Sequence, residues 1–224
     1  MSAAAPTLDV ERSLATGGLR YVAGCDEVGR GALAGPVSVG IVVVDPWTSP
    51  VLEGVRDSKR LRPAAREELV PAIRAWAAAY GVGHASAAEI DELGLVPALG
   101  LAGRRALSAA RVRPDVVLLD GNLDWLAGGG QGDLFDDGAR AGDVPPVALR
   151  VKADLQCLSV AAASVLAKVE RDGLMDGYDA GEPAFGWARN KGYGTAAHRA
   201  AILAGGPSRY HRRSWRLGLP DQAQ

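Results

Sequence analysis

The chain has 224 residues, 48% of them hydrophobic, and a formal net charge of −1 at pH 7. This length and composition suit one large domain, or a domain with a small appendage, with a sizeable core, and argue against a disordered chain or a repeat array. No apolar run approaches the roughly 20 residues that span a bilayer, and residues 1–20 lack a basic start followed by an apolar stretch, so we expect a soluble, cytoplasmic protein without membrane contact.

The near-neutral total charge hides two segments of opposite sign. The stretch from Asp120 to Asp143 holds six aspartates and one arginine. The stretch from Ala188 to Leu219 holds no acidic residue and seven basic ones: Arg189, Lys191, Arg199, Arg209, Arg212, Arg213 and Arg216. Seven cations without an acid favour contact with a nucleic-acid backbone over a merely solvated surface, because each cation can pair with a phosphate.

Two short apolar runs open the predicted core. Residues 21–25 and 37–44 are apolar and rich in β-branched side chains, and a Gly/Pro-rich turn separates them. This pattern predicts two neighbouring buried strands. Residues 63–79 carry apolar side chains at helical spacing after Pro63, which predicts a helix that Pro71 either kinks or divides.

Helices and strands alternate through the rest of the chain. Residues 80–86 predict a strand, and Ser86 with Glu89 then forms a capping box that predicts a helix over 86–94. Strands that alternate with helices predict an α/β layer structure. The later elements are a helix over 95–110, a strand over 115–121, an exposed Gly/Asp-rich loop over 127–146, a strand over 147–154, an Ala-rich helix from Leu158 and a helical flap over about 195–204.

The chain has two cysteines, Cys25 and Cys157. Both have apolar surroundings, and neither belongs to a CxxC motif. We therefore expect two reduced, buried thiols and neither a disulfide framework nor a zinc site.

Acidic side chains follow three of the predicted strands: Asp26 and Glu27 follow the first, Asp120 the strand over 115–121, and Asp154 the strand over 147–154. Loops at strand ends are where α/β sheets build their sites, and converging carboxylates repel one another unless a cation neutralises them. The acids therefore predict a divalent-metal site. Because the candidate ligands are all oxygen atoms, Mg²⁺ or Mn²⁺ fits better than zinc, and two such ions about 3.5–4 Å apart support phosphodiester hydrolysis.

Other interpretations of this region have to be weighed. A single Asp at a strand end is more commonly a turn former than a ligand. Successive strand residues also point to opposite faces, so Asp26 and Glu27 share a site only if the strand ends or bulges there, which the glycines at 29 and 31 would permit. The stretch GRGALA at 29–34 matches a loose dinucleotide fingerprint, but a strand pattern follows it, so we reject a Rossmann site.

Arg30 stands between Gly29 and Gly31, directly after the first two acids. Glycines let backbone N–H groups approach a ligand closely, and a guanidinium offers forked donors to a phosphate. A ribose 2′-hydroxyl is both donor and acceptor, so a turn of this kind can distinguish RNA from DNA at one nucleotide.

Several motifs occur along the chain in a fixed order. AGCDEVGRGALAGPV surrounds the first acids, and DSK (57–59), LLDGN (118–122), VKAD with SVAAASVLAKVERD (within 151–172) and NKGYGTAAH with HRRSW (within 190–215) follow it. This series resembles that of bacterial ribonuclease HII over residues of about 20–218. The chain departs from the family's pattern at 127–146, where the expected connection is shorter and less acidic, and at Trp215, where Phe is common.

The resemblance implies an α/β, ribonuclease H-like fold with a central mixed β-sheet flanked by helices and a C-terminal helical flap. It divides the chain into a flexible N-terminal tail over 1–19, a catalytic domain over 20–188, a basic substrate-binding segment over 189–218 and a tail over 219–224. The implied activity is that of an endoribonuclease on the RNA strand of RNA/DNA hybrids. The enzyme would also nick 5′ of single ribonucleotides in duplex DNA, leaving a 3′-hydroxyl and a 5′-phosphate. We expect a monomer, with Mn²⁺ or Mg²⁺ as cofactor and these nucleic acids as partners.

The resemblance also implies roles for individual residues. Four acids are assigned to catalysis and metal binding: Asp26, Glu27, Asp120 and Asp154. Six residues are assigned to the substrate: Gly29, Arg30, Gly31, Ser58, Lys59 and Tyr193. Among these, the Gly-Arg-Gly turn reads the 2′-hydroxyl at the RNA-to-DNA junction, the tyrosine stacks against the sugar of the next deoxynucleotide, and the Ser-Lys pair contacts backbone phosphates.

Some residues keep more than one interpretation. Asp172 is the rival for the fourth acid, but its place on the apolar face of its helix suits a buried ion pair with an arginine better than a metal ligand. His198 either contacts phosphate or caps the flap. Trp76 and Trp187 fit packing better than stacking on a substrate.

Two other functions stay open. A non-catalytic module that binds hybrids or duplexes would keep the fold and the basic segment, although the presence of all four acids argues against it. A metal-dependent hydrolase of small phosphate esters would have no use for the long cationic stretch.

Overall fold

The computed structural model describes residues 5–55, 58, 61–128 and 144–219. In these ranges five strands form one mixed sheet in the order β3-β2-β1-β4-β5. The strands are β1 (Val22–Val28), β2 (Val37–Val44), β3 (Ala79–Ala85), β4 (Val116–Asp120) and β5 (Val147–Arg150). The pairs β1–β2 and β2–β3 are antiparallel, whereas β1–β4 and β4–β5 are parallel. The predicted central mixed sheet is confirmed.

Helices cover both faces of this sheet. They are α1 (Asp9–Leu14), α2 (Pro63–Trp76), α3 (Ala87–Leu93), α4 (Leu95–Ala110), α5 (Leu158–Gly181), α6 (Trp187–Asn190) and α7 (Ala196–Gly205). The small side chains of α4 pack with Val39, Ile41 and Val43 on one face, while those of α5 pack with Val42 and Val44 on the other. Successive side chains of β2 point to opposite faces of the sheet, so this strand contributes apolar side chains to the core on each face, as expected for a strand buried on both sides.

Two glycines let α5 lie unusually close to the sheet. A Cβ atom at Gly24 of β1 would come within 2.2 Å of the Ser159 carbonyl carbon, and one at Gly40 of β2 would come within 2.3 Å of the Ala163 oxygen. Because any larger residue would push the helix away, these positions set the distance between α5 and the strand that carries Asp26 and Glu27.

Most element predictions are confirmed to within a few residues. The bounds of β2 and α4 match, α7 is displaced by one residue, and Ser86 and Glu89 form the expected capping box at the start of α3. The helix that contains Pro71 is a single continuous element. The β2 strand follows the Gly-Arg-Gly turn without an intervening helix, as the rejection of a Rossmann site requires.

The strand predicted over 147–154 is too long. β5 ends at Arg150, Lys152 has a left-handed backbone with φ 59°, and a short 3₁₀ helix follows over Ala153–Leu155. A left-handed residue cannot continue a strand. Asp154 therefore lies in that 3₁₀ helix, between β5 and α5.

The expectation of a flexible tail over 1–19 is wrong for the segment from Thr7 onward. Leu8 is completely buried, and Glu11 of α1 is buried against the start of α5. The backbone of Thr7 accepts a hydrogen bond from Leu158 N at 2.9 Å and donates one to Gln156 O at 3.0 Å. The segment belongs to the folded domain because its apolar and hydrogen-bonding groups find partners there.

Both cysteines are free and buried, as predicted. The loop predicted over 127–146 lies mostly outside the described residues. Among the helices that the structure does describe, none combines the length and the apolar character needed to cross a bilayer.

Candidate active site

All four predicted acids lie near one end of the sheet. The parallel pairing of β1 with β4 ends at Cys25 and Leu119, so the next residues, Asp26 and Asp120, lie side by side at the carboxyl ends of two strands. The backbone N–H of Ala153 donates a hydrogen bond of 2.8 Å to Asp120 Oδ1. This bond ties the 3₁₀ helix of Asp154 to the end of β4.

Glu27 lies on the other face of β1. The β1–β2 register is regular from Val22↔Val44 to Val28↔Ser38, so the strand neither ends nor bulges at the acids. Asp26 has the same parity as Gly24, which faces α5, whereas Glu27 has the parity of Cys25, which belongs to the core beneath α4. The bulge that the neighbouring glycines would permit is therefore absent from β1.

Burial and like charge act together on Asp26, which is 4% exposed. The pKa of Asp26 is raised to about 8: burial is the largest cause, and the charges of Glu27, Asp120 and Asp154 add to it, while a hydrogen bond with Ser164 opposes the shift. The pKa therefore reflects all four acids at once, including the one on the opposite face. This coupling is the electrostatic signature of a site that a cation would stabilise.

Glu27 is only partly neutralised. Burial raises its pKa, and the Arg30 guanidinium opposes that effect with Nη1 3.3 Å from Oε1. The second carboxylate oxygen, Oε2, is buried and has no hydrogen-bond partner among the described residues. A buried carboxylate oxygen without a donor is costly, so this atom is open to a metal ion or a water molecule.

The residues fit a hard divalent cation in charge and in donor type. The candidate donors are carboxylate oxygens, which hard divalent cations prefer. Burial disfavours the charged form of Asp26, which a cation would stabilise, and Glu27 offers an oxygen without a hydrogen-bond partner in the described part of the chain. The side chains do not form a closed ligand cage: within residues 5–55, 58, 61–128 and 144–219, no three or more His, Cys, Asp or Glu are arranged to hold a metal ion.

The Gly-Arg-Gly turn extends from the end of β1 toward solvent. Arg30 is exposed, and a Cβ atom at Gly31 would meet none of the described atoms within 4 Å. Gly29 has φ +84°, and a Cβ atom there would lie 2.0 Å from Arg171 Nε. The open space at Gly31 suits the close approach of a ligand, whereas Gly29 is required because a buried arginine occupies the space beside it.

Ser58 is not on the surface as a phosphate contact should be. It is 3% exposed, and its Oγ lies 2.9 Å from Ser164 Oγ, the same side chain that hydrogen-bonds to Asp26. Ser58 therefore supports Asp26 through Ser164 from within the protein. Lys59, its predicted companion, lies outside the described residues.

Asp172 forms the predicted ion pair with an arginine. Its Oδ2 lies 3.6 Å from Arg66 Nη2, and its other oxygen pairs with Lys168. Arg66 also donates a hydrogen bond of 2.9 Å to the Ser58 carbonyl oxygen. Asp172 thus helps to hold the Ser58 backbone in place through Arg66, which leaves Asp154 as the better candidate for the fourth active-site acid.

Tyr193 has an exposed ring on a firmly held backbone. The side chain is 38% exposed, and the Arg171 guanidinium carbon lies 5.6 Å from its ring centroid. The Tyr193 carbonyl oxygen accepts hydrogen bonds from Thr195 N at 2.8 Å and from His198 Nδ1 at 3.0 Å. A ring that is open on one side and fixed at its base suits stacking against a sugar.

His198 is structural. It is fully buried, and its Nε2 lies 3.0 Å from Trp187 Nε1 and 3.1 Å from His211 Nε2. The indole can only donate, so His198 Nε2 accepts and its Nδ1 donates to Tyr193. Trp187 is likewise buried, and Trp76 donates to the Pro50 carbonyl oxygen, so both tryptophans serve packing as predicted.

The basic segment offers fewer free cations than its sequence suggests. Arg212 is completely buried, and Lys191 pairs with Asp176. The basic stretch was predicted to contact a nucleic-acid backbone, and Arg212 is too deeply buried to take part in such a contact. Sequence reasoning also missed Ser164 and Arg171, because nothing in their local pattern shows that they contact Asp26 and the Gly-Arg-Gly turn.

Comparisons with known proteins show the family to which this chain belongs. The family model described as Ribonuclease HII matches residues 23–217. The ribonuclease HII of Streptomyces avermitilis is 46% identical over 211 residues, which cover 94% of this chain and 83% of that protein. The ribonuclease HII of Streptomyces griseus is 47% identical over 215 residues, which cover 94% of this chain and 84% of that protein.

Solved structures show the same architecture. The ribonuclease H2 from Pyrococcus horikoshii superposes with a TM-score of 0.68 at 27% identity, over 88% of this chain and 94% of that chain. The RNase HII in the PCNA:RNase HII complex from Archaeoglobus fulgidus superposes with a TM-score of 0.64 at 25% identity, over 91% and 97%. The fold is therefore ribonuclease H-like, and the chain belongs to the ribonuclease HII family of type 2 ribonuclease H endoribonucleases.

Proposed function

We propose that this enzyme hydrolyses the RNA strand of RNA/DNA hybrids and nicks duplex DNA 5′ of a single embedded ribonucleotide, leaving a 3′-hydroxyl and a 5′-phosphate, with Mg²⁺ or Mn²⁺ as cofactor. The supporting observation is the continuity of β1 with the Gly-Arg-Gly turn, which links Glu27 to Arg30 at 3.3 Å. The acids that we assign to the metal and the turn that we assign to the ribose would then lie on one continuous segment of the chain.

Asp26, Glu27, Asp120 and Asp154 are the residues that would hold the metal. Glu27 starts from the other face of β1 and would reach the ion around the end of the strand, with the Oε2 atom that no described residue hydrogen-bonds. When bound, the divalent ions supply positive charge that activates water and stabilises the developing charge on the phosphate. The Asp26 carboxylate is held by a hydrogen bond with the Ser164 side chain and by one of 2.8 Å from Glu27 N to its Oδ1. Asp120 is held by Ala153 N, so these two carboxylates are oriented before any ligand binds.

Substrate selection is assigned to the exposed turn and to Tyr193. Gly31 has room for the close approach of a nucleotide, and Arg30 presents a guanidinium beside the acids. A backbone N–H at this turn can donate to a 2′-hydroxyl and a backbone carbonyl can accept from it, so a deoxyribose would leave these groups without a partner. Tyr193 then offers its exposed ring to the next sugar.

The decisive experiment uses a labelled DNA duplex that contains one ribonucleotide. With Mg²⁺ or Mn²⁺ we expect a single nick 5′ of that ribonucleotide, and end analysis should show the 3′-hydroxyl and 5′-phosphate. The all-DNA duplex of the same sequence is the matched control and should stay intact. Failure to nick with either metal would overturn the proposal, and tight metal-independent binding without product would favour a binding module.

A further inference from the structure

Two fully buried arginines lie beneath the turn that follows β1. Arg171 belongs to α5 and Arg212 to the basic segment, and both are 0% exposed. Long cationic side chains are almost never fully buried unless they are paired with an acid. Yet in the described part of the chain, each hydrogen bond of these two guanidiniums goes to a backbone carbonyl oxygen.

Arg212 donates hydrogen bonds to both ends of the turn. Its Nη2 donates to Gly29 O at 2.6 Å, its Nη1 donates to Arg30 O at 2.9 Å, and its Nε donates to Gly35 O at 3.2 Å. The guanidinium also lies 4.7 Å from the ring centroid of Trp215. A planar fork with donors on three nitrogens is the side chain that can satisfy three carbonyls of one loop at once.

Arg171 joins the same turn to the tyrosine loop. Its Nε donates to Pro36 O at 2.8 Å, its Nη2 contacts Ala34 O at 3.3 Å, and its Nη1 donates to Lys191 O at 3.0 Å. Its guanidinium also lies against the Tyr193 ring. One side chain therefore sets the position of the Gly-Arg-Gly turn relative to the loop that carries Tyr193.

Burial of two cations side by side disfavours their charged forms. Burial and, after it, the neighbouring charge of Arg171 together lower the pKa of Arg212 to about 9. Burial lowers the pKa of Arg171 as well, and the nearby Tyr193 and Asp172 oppose that effect. Asp91, which opposes the shift at Arg212, accepts its own hydrogen bonds from Arg213 N and Ser214 N. A well-packed apolar residue would avoid this cost, but it would leave the turn's carbonyls without donors.

We propose that Arg171 and Arg212 are positioning residues for ribose recognition, which together hold the turn over Gly29–Pro36 in register with Tyr193 and with the β1 acids. This inference rests on the proposed function. The two guanidiniums hydrogen-bond to carbonyl oxygens on the buried side of the turn. The groups on its solvent-facing side then stay available to the substrate.

The two substrate types should depend on this register differently. A uniform RNA strand presents a 2′-hydroxyl at every nucleotide, so a misplaced turn still meets one. A duplex with one ribonucleotide presents a single hydroxyl, and only one register aligns it with the acids. Loss of positioning should therefore reduce single-ribonucleotide cleavage more than hybrid cleavage.

The test measures kcat/KM on two substrates of equal length, a DNA duplex with one ribonucleotide and an RNA/DNA hybrid, for Arg212→Lys and Arg171→Lys. Lysine keeps the charge but cannot bridge several carbonyls. We expect the ratio of single-ribonucleotide to hybrid cleavage to fall about 10-fold in each variant, with an unchanged salt dependence of binding. The ratio does not depend on the fraction of folded enzyme, so a destabilised variant still gives an answer.

Arg105→Lys is the matched control. Arg105 also makes a multiple contact, to His84 O at 2.7 Å and to Glu89, but it belongs to α4, and its partners lie on β3 and α3. The ratio of single-ribonucleotide to hybrid cleavage should be the same in Arg105→Lys as in the wild type. If Arg171→Lys and Arg212→Lys lose both activities in proportion, the arginines are merely structural and the inference is wrong. A wild-type enzyme that cleaves hybrids but never nicks the single-ribonucleotide duplex would instead overturn the proposed function, and the inference with it.

Discussion

Glu11 and Ser159 lie 148 residues apart in sequence, yet the Glu11 carboxylate caps the helix on which Ser159 lies. Glu11 Oε1 accepts hydrogen bonds from Ser159 N at 2.9 Å and from Ser159 Oγ at 2.7 Å. The cap residue of α5, Cys157, makes no side-chain cap of its own. A segment expected to be a tail thus supplies an acceptor for the first turn of the helix that follows Asp154.

Replacement of this acid should destabilise the enzyme. Glu11→Ala leaves the Ser159 donors buried without an acceptor, so we expect the free energy of unfolding to fall by about 2 kcal/mol. Glu11→Gln keeps an oxygen acceptor and should lose roughly half as much. Urea titration of the three proteins measures the differences, and equal stability of Glu11→Ala and the wild type would rule out the cap.

Asp26→Asn should abolish cleavage while it stabilises the metal-free enzyme. The folded-state pKa of Asp26 is raised to about 8, so the folded protein holds a proton there that the unfolded chain loses above its ordinary pKa of 3.8. Stability contributed by the protonated acid is therefore lost as the pH rises from about 4 to 8, and asparagine avoids that loss. At pH 7 with a chelator, we expect the variant to be more stable by roughly 2 kcal/mol.

The same two proteins give the metal control. Added Mg²⁺ or Mn²⁺ should raise the melting temperature of the wild type more than that of Asp26→Asn, because only the wild type keeps the full set of acids. Binding of the duplex by the variant should persist. A variant that is less stable than the wild type without metal would contradict the assigned electrostatic cost.

Tyr193→Ala should impair single-ribonucleotide cleavage much more than stability. The ring is 38% exposed, and its backbone contacts to Thr195 and His198 do not depend on the side chain. We expect kcat/KM to fall about 10- to 100-fold, while the free energy of unfolding falls by less than about 1 kcal/mol. Tyr193→Phe keeps the ring and is the matched control. An unchanged rate in Tyr193→Ala would remove this residue from the site.

The buried histidine pair should make the flap sensitive to acid. Burial, together with the neighbouring charge of His198, lowers the pKa of His211 to about 4, while a backbone hydrogen bond with Ser208 opposes that shift. The unfolded chain binds a proton below about 6.5 and the folded chain does not until about 4, so stability is lost as the pH falls through that window.

His211→Gln isolates this effect. The difference in unfolding free energy between wild type and variant should shrink by about 1–3 kcal/mol between pH 7.5 and pH 4, because other titrating groups contribute equally to both proteins. Chemical denaturation at a series of pH values measures it. A difference that stays constant over this range would show that His211 keeps an ordinary pKa.

Much of the architecture could be read from local patterns. The β2 strand, α4 and the capping box at Ser86 depend on neighbours within a few residues, and each was predicted nearly to its ends. The strand ending at Arg150 was predicted too long because the left-handed turn at Lys152 carries no signal in a lysine. The segment around Glu11 was taken for a tail because its partner, Ser159, lies far along the chain.

The sequence by itself determined the chemistry available to this protein: four acids after strands, a Gly-Arg-Gly turn and a family motif series, all carried by residue type and spacing. Tertiary structure alone decided what several of those residues touch. Ser58 and Arg212 were expected to contact phosphates, but one supports Asp26 through Ser164 and the other holds the recognition turn. The reason is physical, since burial and long-range hydrogen bonding depend on which distant segments pack together, and spacing along the chain does not encode that directly.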